Sequence, residues 1–276
     1  MTKLEKLIEQ SIKTKNWEKL RKYCLSPEYQ SLPYVEKNKP FVTSSKLKEF
    51  EKCELTYKLK YLDCISDRTE GERDYFIIGQ ALDDRLTYGE KYFQSKYEVV
   101  ARRGESDKVQ LTNNMNKFVE QMTSEFNAQP LFKKNPKKTV FFHEYGGMLL
   151  KAELDDYDGE TITDEKSCAN ITTFDPEMYV LQMCFYHWLV EENTGNRCKV
   201  AIQAIDKYDF FSRSKKIEYT QPTLLAKRGE LLFLLEKFKE AHETGIFMRS
   251  DKPNVVYNSP FYGYTEYGRW SEVEYY

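Results

Sequence analysis

The chain has 276 residues, with 42 Lys plus Arg against 44 Asp plus Glu and a formal net charge of −2. Near-neutrality excludes a whole-protein positive field, so a nucleic-acid partner would have to be held by local basic patches. A hydrophobic content of 40% with 15% aromatics excludes a disordered chain, and no apolar run approaches membrane-spanning length.

The opening MTKLEKLIEQSIKTKNW is charged and amphipathic; it reads as a helix over 3–24, not as a signal peptide. TSSKLKEFEKCELTYKLKYLD follows a Pro-marked loop. Thr43, Ser44 and Ser45 are its possible N-caps, and Leu47, Phe50 and Leu55 sit among charges, the pattern of an amphipathic helix. Its lysines (Lys46, Lys48, Lys52, Lys58, Lys60) read as a solvated face able to touch phosphate. FIIGQALDDRLTYGEKYFQSKY predicts a second helical segment bent near Gly89, and QLTNNMNKFVEQMTSEF a third.

The pattern changes after the PLFKKNP loop. TVFFHEY, GMLLKAELDDY and ETITDEKS carry β-branched and aromatic residues, with Gly146-Gly147 and Asp158-Gly159 as turns. They predict a three-stranded antiparallel meander. DPEMYVLQMCFYHWLVEENTG predicts a helix capped by Asp175, with Pro176 at its first position and Gly195 as its stop. CKVAIQAIDKYDF reads as a strand and KKIEY as a further one, then a long helix runs to Gly245. The sum is an α/β sandwich with a mixed central sheet flanked by helices. It is read as one domain over 1–276, with a helical N-terminal part (1–130), a core at about 75–245 and an irregular aromatic-rich tail (246–276).

The acidic run ELDDYDGETITDEKS carries the chemistry. Asp155 ends the second strand, and Asp164 lies near the end of the third. Residues i and i+2 of a strand share a face, so Asp164 and Lys166 project together while Glu165 points away. Across the hairpin Asp155 can approach Asp164. Two carboxylates in mutual reach repel unless a cation joins them, and hard oxygen donors suit Mg²⁺ or Mn²⁺. An ammonium beside such an ion can orient a water and offset charge on phosphate oxygens. The cluster therefore reads as a metal-dependent phosphodiesterase site. Asp156 and Asp158 read as turn residues, and Glu153 and Glu165 as structural or supporting acids on the opposite face.

These residues resemble the PD-(D/E)XK nuclease superfamily, and within it the RecB-like exonucleases, including phage-type recombination exonucleases. GQALD (Gly79 to Asp83) is similar to the helical motif in which a metal ligand follows glycine by four residues. AELD ends at Asp155, with Ala152 where glycine is usual; DEK (Asp164 to Lys166) matches (D/E)-x-K, and QMCFY (Gln182 to Tyr186) matches Q-x-x-x-Y. The upstream Ser/Cys-bearing helix also resembles the family's, with Glu54 replacing the proline after Cys53.

The resemblance implies a restriction-endonuclease-like fold and a Mg²⁺- or Mn²⁺-dependent DNA exonuclease of replication, repair or recombination. It implies a metal held by Asp83, Asp155, Asp164 and the backbone carbonyl of Glu165. It makes Asp155, Asp164 and Lys166 the catalytic residues, and Gln182 and Tyr186 DNA contacts or braces of the site. Asp83 stands where RecB has histidine, and Asp84 is the alternative ligand in a register shifted by one. Glu144 is a supporting candidate, because some relatives carry a glutamate on the first strand. An endonuclease of the same fold, or a non-catalytic nucleic-acid-binding or assembly module on a decayed nuclease fold, stays open. DNA is the implied partner, with a single-strand annealing or replication protein as a second candidate and no membrane.

The six cysteines (24, 53, 64, 168, 184, 198) are scattered without a CxxC pair, which reads as reduced thiols in a cytoplasmic protein of a bacterium or phage-infected host. Cys53 is the only candidate for the iron–sulfur cluster that some relatives carry, so no cluster is expected. His143, His187 and His242 share no ligand spacing. Lys133, Lys134, Lys137 and Lys138, or Arg213, Lys215 and Lys216, could line a phosphate track, with Phe210 and Phe211 to stack bases.

Overall fold

The computed structural model describes residues 2–30, 32, 34–63, 70–130, 132, 136–207 and 213–248. Expectations for Cys64, Lys133, Lys134, Phe210, Phe211 and most of the tail lie outside these residues. The first helix, α1 (Lys3–Thr14), starts at a capping box: Thr2 Oγ1 accepts the Glu5 N–H at 3.2 Å, and Glu5 accepts the Thr2 N–H at 2.7 Å. Short helices α2 (Glu18–Cys24), α3 (Pro27–Gln30) and α4 (Tyr34–Asn38) follow. The helix expected at Thr43 is two, α5 (Ser44–Lys52) and α6 (Glu54–Tyr61), because Cys53 adopts extended backbone between them. Thr43 is the N-cap of α5.

Next comes α7 (Glu70–Lys96), bent at Gly89, whose φ of 80° few other residues adopt. A parallel pair, β1 (Tyr97–Val100) and β2 (Val109–Thr112), lies between α7 and α8 (Asn113–Ala128). Neither strand was expected. Each is four residues long and abuts a helix, leaving no room for an alternating pattern to declare itself.

The expected meander is replaced by a split sheet. β3 (Thr139–Tyr145) and β4 (Met148–Leu154) form a full antiparallel hairpin. After Asp155 the chain resumes as β5 (Asp156–Tyr157), which makes only two pairs with β6 (Thr161–Cys168): Asp156 with Thr163 and Tyr157 with Ile162. β6 then runs parallel to β7 (Lys199–Asp206), and β8 (Ser214–Tyr219) closes the order β5-β6-β7-β8. From Asp164 onward β6 therefore has a ladder on its β7 side alone.

α9 (Val180–Thr194), led in by a 3₁₀ turn with Asp175 as its cap, and α10 (Gln221–Thr244) cover one face. They pack with α5 and α6 on Val200, Ile202 and Ala204. The alternate residue Ile205 belongs to a second cluster with α7 and α8. β7 is buried along nearly its whole length, so it reads as an unbroken apolar run. A third cluster joins the N-terminal helices to Val140, Phe142 and Leu149. No helix among the described residues is long and apolar enough to cross a membrane.

Lys46 overturns the solvated-face reading of its helix. It is 4% exposed, and its ammonium donates to the carbonyls of Asn38 (2.8 Å), Phe41 (2.9 Å) and Lys39 (3.3 Å), tying α4 to α5. Burial pushes its pKa down to about 8. Lys48 likewise donates to the Met178 carbonyl, and Lys60 pairs with Glu49. Lys46→Met is expected to cost about 2 kcal/mol, since buried carbonyls lose their donor while a buried charge is also removed. Urea unfolding checks this as a lower midpoint at unchanged slope.

Candidate active site

The open edge of β6 is where the acids meet. The Glu165 N–H points away from β7 and donates to Asp155 Oδ2 at 3.0 Å. A strand residue directs its N–H and C=O to the same side, so the Glu165 carbonyl faces that edge too. Asp155 directly follows β4, and its carboxylate lies close enough to Asp164 for the charge of one to raise the other. Lys166 forms an ion pair with Asp164. α9 supports this group: Gln182 Nε2 donates to Asp164 Oδ1 at 3.1 Å and to the Tyr186 hydroxyl at 2.9 Å. Gln182 and Tyr186 therefore hold Asp164 from beneath, as residues one turn apart on a helix can.

From the other side α7 runs close along β6; a Cβ on Gly79 would sit 3.5 Å from Ser167 Oγ. This brings Asp83 into a cleft of about 680 Å³ shared with Asp155, Glu165, Lys166 and Lys138. Asp83 forms an ion pair with Lys138 and accepts the Thr87 hydroxyl at 3.2 Å. Asp84, the alternative ligand, borders the same cleft. Its Oδ2 is taken by Lys96 (2.7 Å) and the buried Tyr97 hydroxyl (2.6 Å), both beyond the Gly89 bend, so it braces the helix.

Burial pushes Asp83 up to about 6, aided by Asp155 and opposed by Lys138. Asp155 also rises to about 6, by burial and then by the charge of Asp164. Burial raises Asp164 against the pull of Lys166. Glu165 is raised well above the carboxylate range by burial, Asp155 and Asp83. Burial alone would lower Lys166, but Asp164 and Asp155 overcome it and hold its ammonium above lysine's usual value.

Several expectations are corrected by this geometry. Glu165, expected on the face of β6 opposite Asp164 and Lys166, also borders the cleft. The two Glu165 carboxylate oxygens are buried with no hydrogen-bond donor among the described residues. Glu153 also borders the cleft. Burial alone would raise it, but the ammoniums of Lys151, Lys138 and Lys37 hold it down to about 2. Asp156 is not a turn residue: it is buried in β5 and accepts the Lys137 N–H at 2.7 Å. Asp158 does cap the turn, through the N–H groups of Glu160 and Thr161. Glu144 is not brought to the site. It pairs with Leu149 at the far end of the β3–β4 hairpin and forms an ion pair with Lys15. His143 packs edge-on to Trp188, His187 faces Arg228, and His242 meets the Tyr57 hydroxyl.

The sequence places Lys138 only in a phosphate track, yet it sits inside the cleft. The sequence signal was its position just before the first strand of a hairpin that ends at Asp155. Lys151, equally unforeseen, is buried and bound by Glu153 (2.8 Å), Tyr29 (3.1 Å) and Asn38 (3.3 Å).

The donor set suits a hard divalent cation. Lys138 offsets Asp83, Lys166 offsets Asp164 and Lys151 offsets Glu153, which leaves Asp155 and Glu165 with no ion-pair partner among the described residues. Buried carboxylates in that state are costly unless a cation joins them. No three acidic, His or Cys side chains among the described residues are already gathered at metal-binding distance; lysine ammoniums stand between them instead.

A split mixed sheet with acids and a lysine at its open edge, covered by one helix from each side, defines a PD-(D/E)XK nuclease-like domain. Residues 43–247 match the model of the family described as "PDDEXK-like domain of unknown function (DUF3799)", and the chain belongs to that family. It is also similar to a crystal structure from Eubacterium rectale whose protein is named "putative exonuclease". That match has a TM-score of 0.67 at 19% identity and covers 82% of this chain and 90% of the other. At that identity the likeness speaks to the fold. No protein with a curated description matches the chain.

Proposed function

We propose that the protein is a Mg²⁺- or Mn²⁺-dependent deoxyribonuclease that degrades DNA from its ends in replication, repair or recombination. The observation that carries this reading is the meeting of Asp155, Asp164, Lys166 and the Glu165 backbone at the open edge of β6, with Asp83 opposite. Asp83, Asp155, Asp164 and the Glu165 carbonyl would hold the ion, an all-oxygen set that suits Mg²⁺ or Mn²⁺. The chemistry such an ion supplies when bound is polarisation of the phosphoryl group and acidification of a water.

The chain's own residues do the rest. Asp155 and Asp164 present carboxylates that Glu165 N–H and Gln182 hold in place. Lys166 keeps its proton and so offers a fixed positive charge toward phosphate oxygens as they gain charge. Tyr186 fixes Gln182, and through it Asp164. The exonuclease name of the Eubacterium rectale protein supports end-directed action.

Incubation with linear duplex, covalently closed circular duplex and a single-stranded oligonucleotide, in Mg²⁺ or Mn²⁺, tests the reading. Linear DNA is expected to shorten from its ends, circles to survive, and EDTA to stop the reaction. Nicked circles would make the protein an endonuclease. DNA bound but uncut under every condition would make it a binding module.

A further inference from the structure

The β3–β4 ladder pairs Thr139 with Leu154, so the next rung outward sets Lys138 against Asp155. α7 brings Asp83 to the same place, and the Lys138 ammonium lies on Asp83 Oδ2. The Lys138 side chain is only 11% exposed there. Both Asp83 oxygens are thereby engaged, since Thr87 holds Oδ1. A divalent ion at Oδ2 would have to share that oxygen with the Lys138 ammonium, a like charge held against the same acceptor. Lys138 also feels the charges of Asp155 and Glu153, and these acids keep its proton bound despite burial.

We propose that Lys138 is an internal cation of the cleft, whose ammonium holds Asp83 in the metal-free protein and competes with the divalent ion for that carboxylate. The proposal rests on the metal-dependent reading above and names a positioning residue that acts through Asp83. It gives the lysine two linked effects. It lowers the cost of gathering buried acids before an ion arrives, and it sets the ion concentration at which the site fills. A lysine that served packing alone would do neither.

The test is titration of the full chain with Mn²⁺, without DNA, by isothermal calorimetry. Lys138→Met removes the charge at similar length; Lys138→Gln removes it but keeps a donor for Asp83, covering the case in which the Met variant does not fold. Lys138→Arg keeps the charge. The neutral variants are expected to bind Mn²⁺ about tenfold more tightly than the wild type, the change that removal of one competing contact of ordinary strength produces. The Arg variant is expected to stay near the wild type. Mn²⁺ binding by the neutral variants alone would also support the proposal. Unchanged or weaker binding in them, or tightening in the Arg variant as large as theirs, overturns the proposal and leaves the nuclease reading standing. Absence of Mn²⁺ binding in all four proteins overturns both.

Discussion

Asp164→Ala and Lys166→Ala are each expected to lower DNA cleavage in Mg²⁺ by about 10³-fold, with far-ultraviolet circular dichroism unchanged. Asp164 is the junction of the site: it meets Asp155, Lys166 and Gln182 at once. Its loss would remove one of the proposed ligand oxygens and leave the Lys166 ammonium without its counterion. Lys166→Ala keeps the acids but removes the positive charge directed at the phosphate. Lys166→Arg is expected to restore little, because a planar guanidinium does not fit a point contact made for an ammonium. Glu144→Ala is the matched control: its partner is Lys15, and its cleavage rate should equal the wild type's. Single-turnover assays on end-labelled DNA read all four. Cleavage by the Asp164→Ala and Lys166→Ala proteins at wild-type rates would place the chemistry elsewhere.

Glu165→Gln is expected to stabilise the metal-free protein by about 1–2 kcal/mol, a gain seen when an uncompensated buried charge is made neutral. The Glu165 oxygens have no donor among the described residues, and Asp155 and Asp83 press their charges on them. Whether the carboxyl stays ionised or takes up a proton, folding works against it. An amide of the same shape can donate to those neighbouring carboxylates. For a chain of this size the gain corresponds to about 2–6 °C in melting temperature. Mn²⁺ at a hundred times its dissociation constant should stabilise the wild type by about 2.7 kcal/mol. Differential scanning calorimetry with EDTA and with Mn²⁺ measures both effects. A Gln variant less stable than the wild type in EDTA would contradict the picture of a cleft overloaded with negative charge.

The long patterned elements were legible in the sequence. α9, β7, α10 and the Gly89 bend follow from caps, apolar runs and glycine. The sequence also predicted the approach of Asp155 to Asp164, because a tight Asp158-Gly159 turn brings the ends of its strands together. What it hid was the divergence after two pairs, since a strand's side-chain pattern is the same whether its neighbour is antiparallel, parallel or missing. That one gap leaves the Glu165 N–H free to hold Asp155. Lys46, Lys138 and Lys151 were hidden for a different reason. A lysine among charges reads as solvated, and only the fold shows which ammoniums are enclosed by carbonyls or carboxylates.

Asp83 and Asp84 stand 100° apart on their helix and do different work. Asp84 reaches across the Gly89 bend to Lys96 and Tyr97 and fixes the angle between the two halves of α7. Because the brace and the cleft acid are consecutive residues, the contacts that hold Asp84 also anchor the backbone that carries Asp83. The bend at Gly89 and the acid of the cleft are thus fastened through a single peptide.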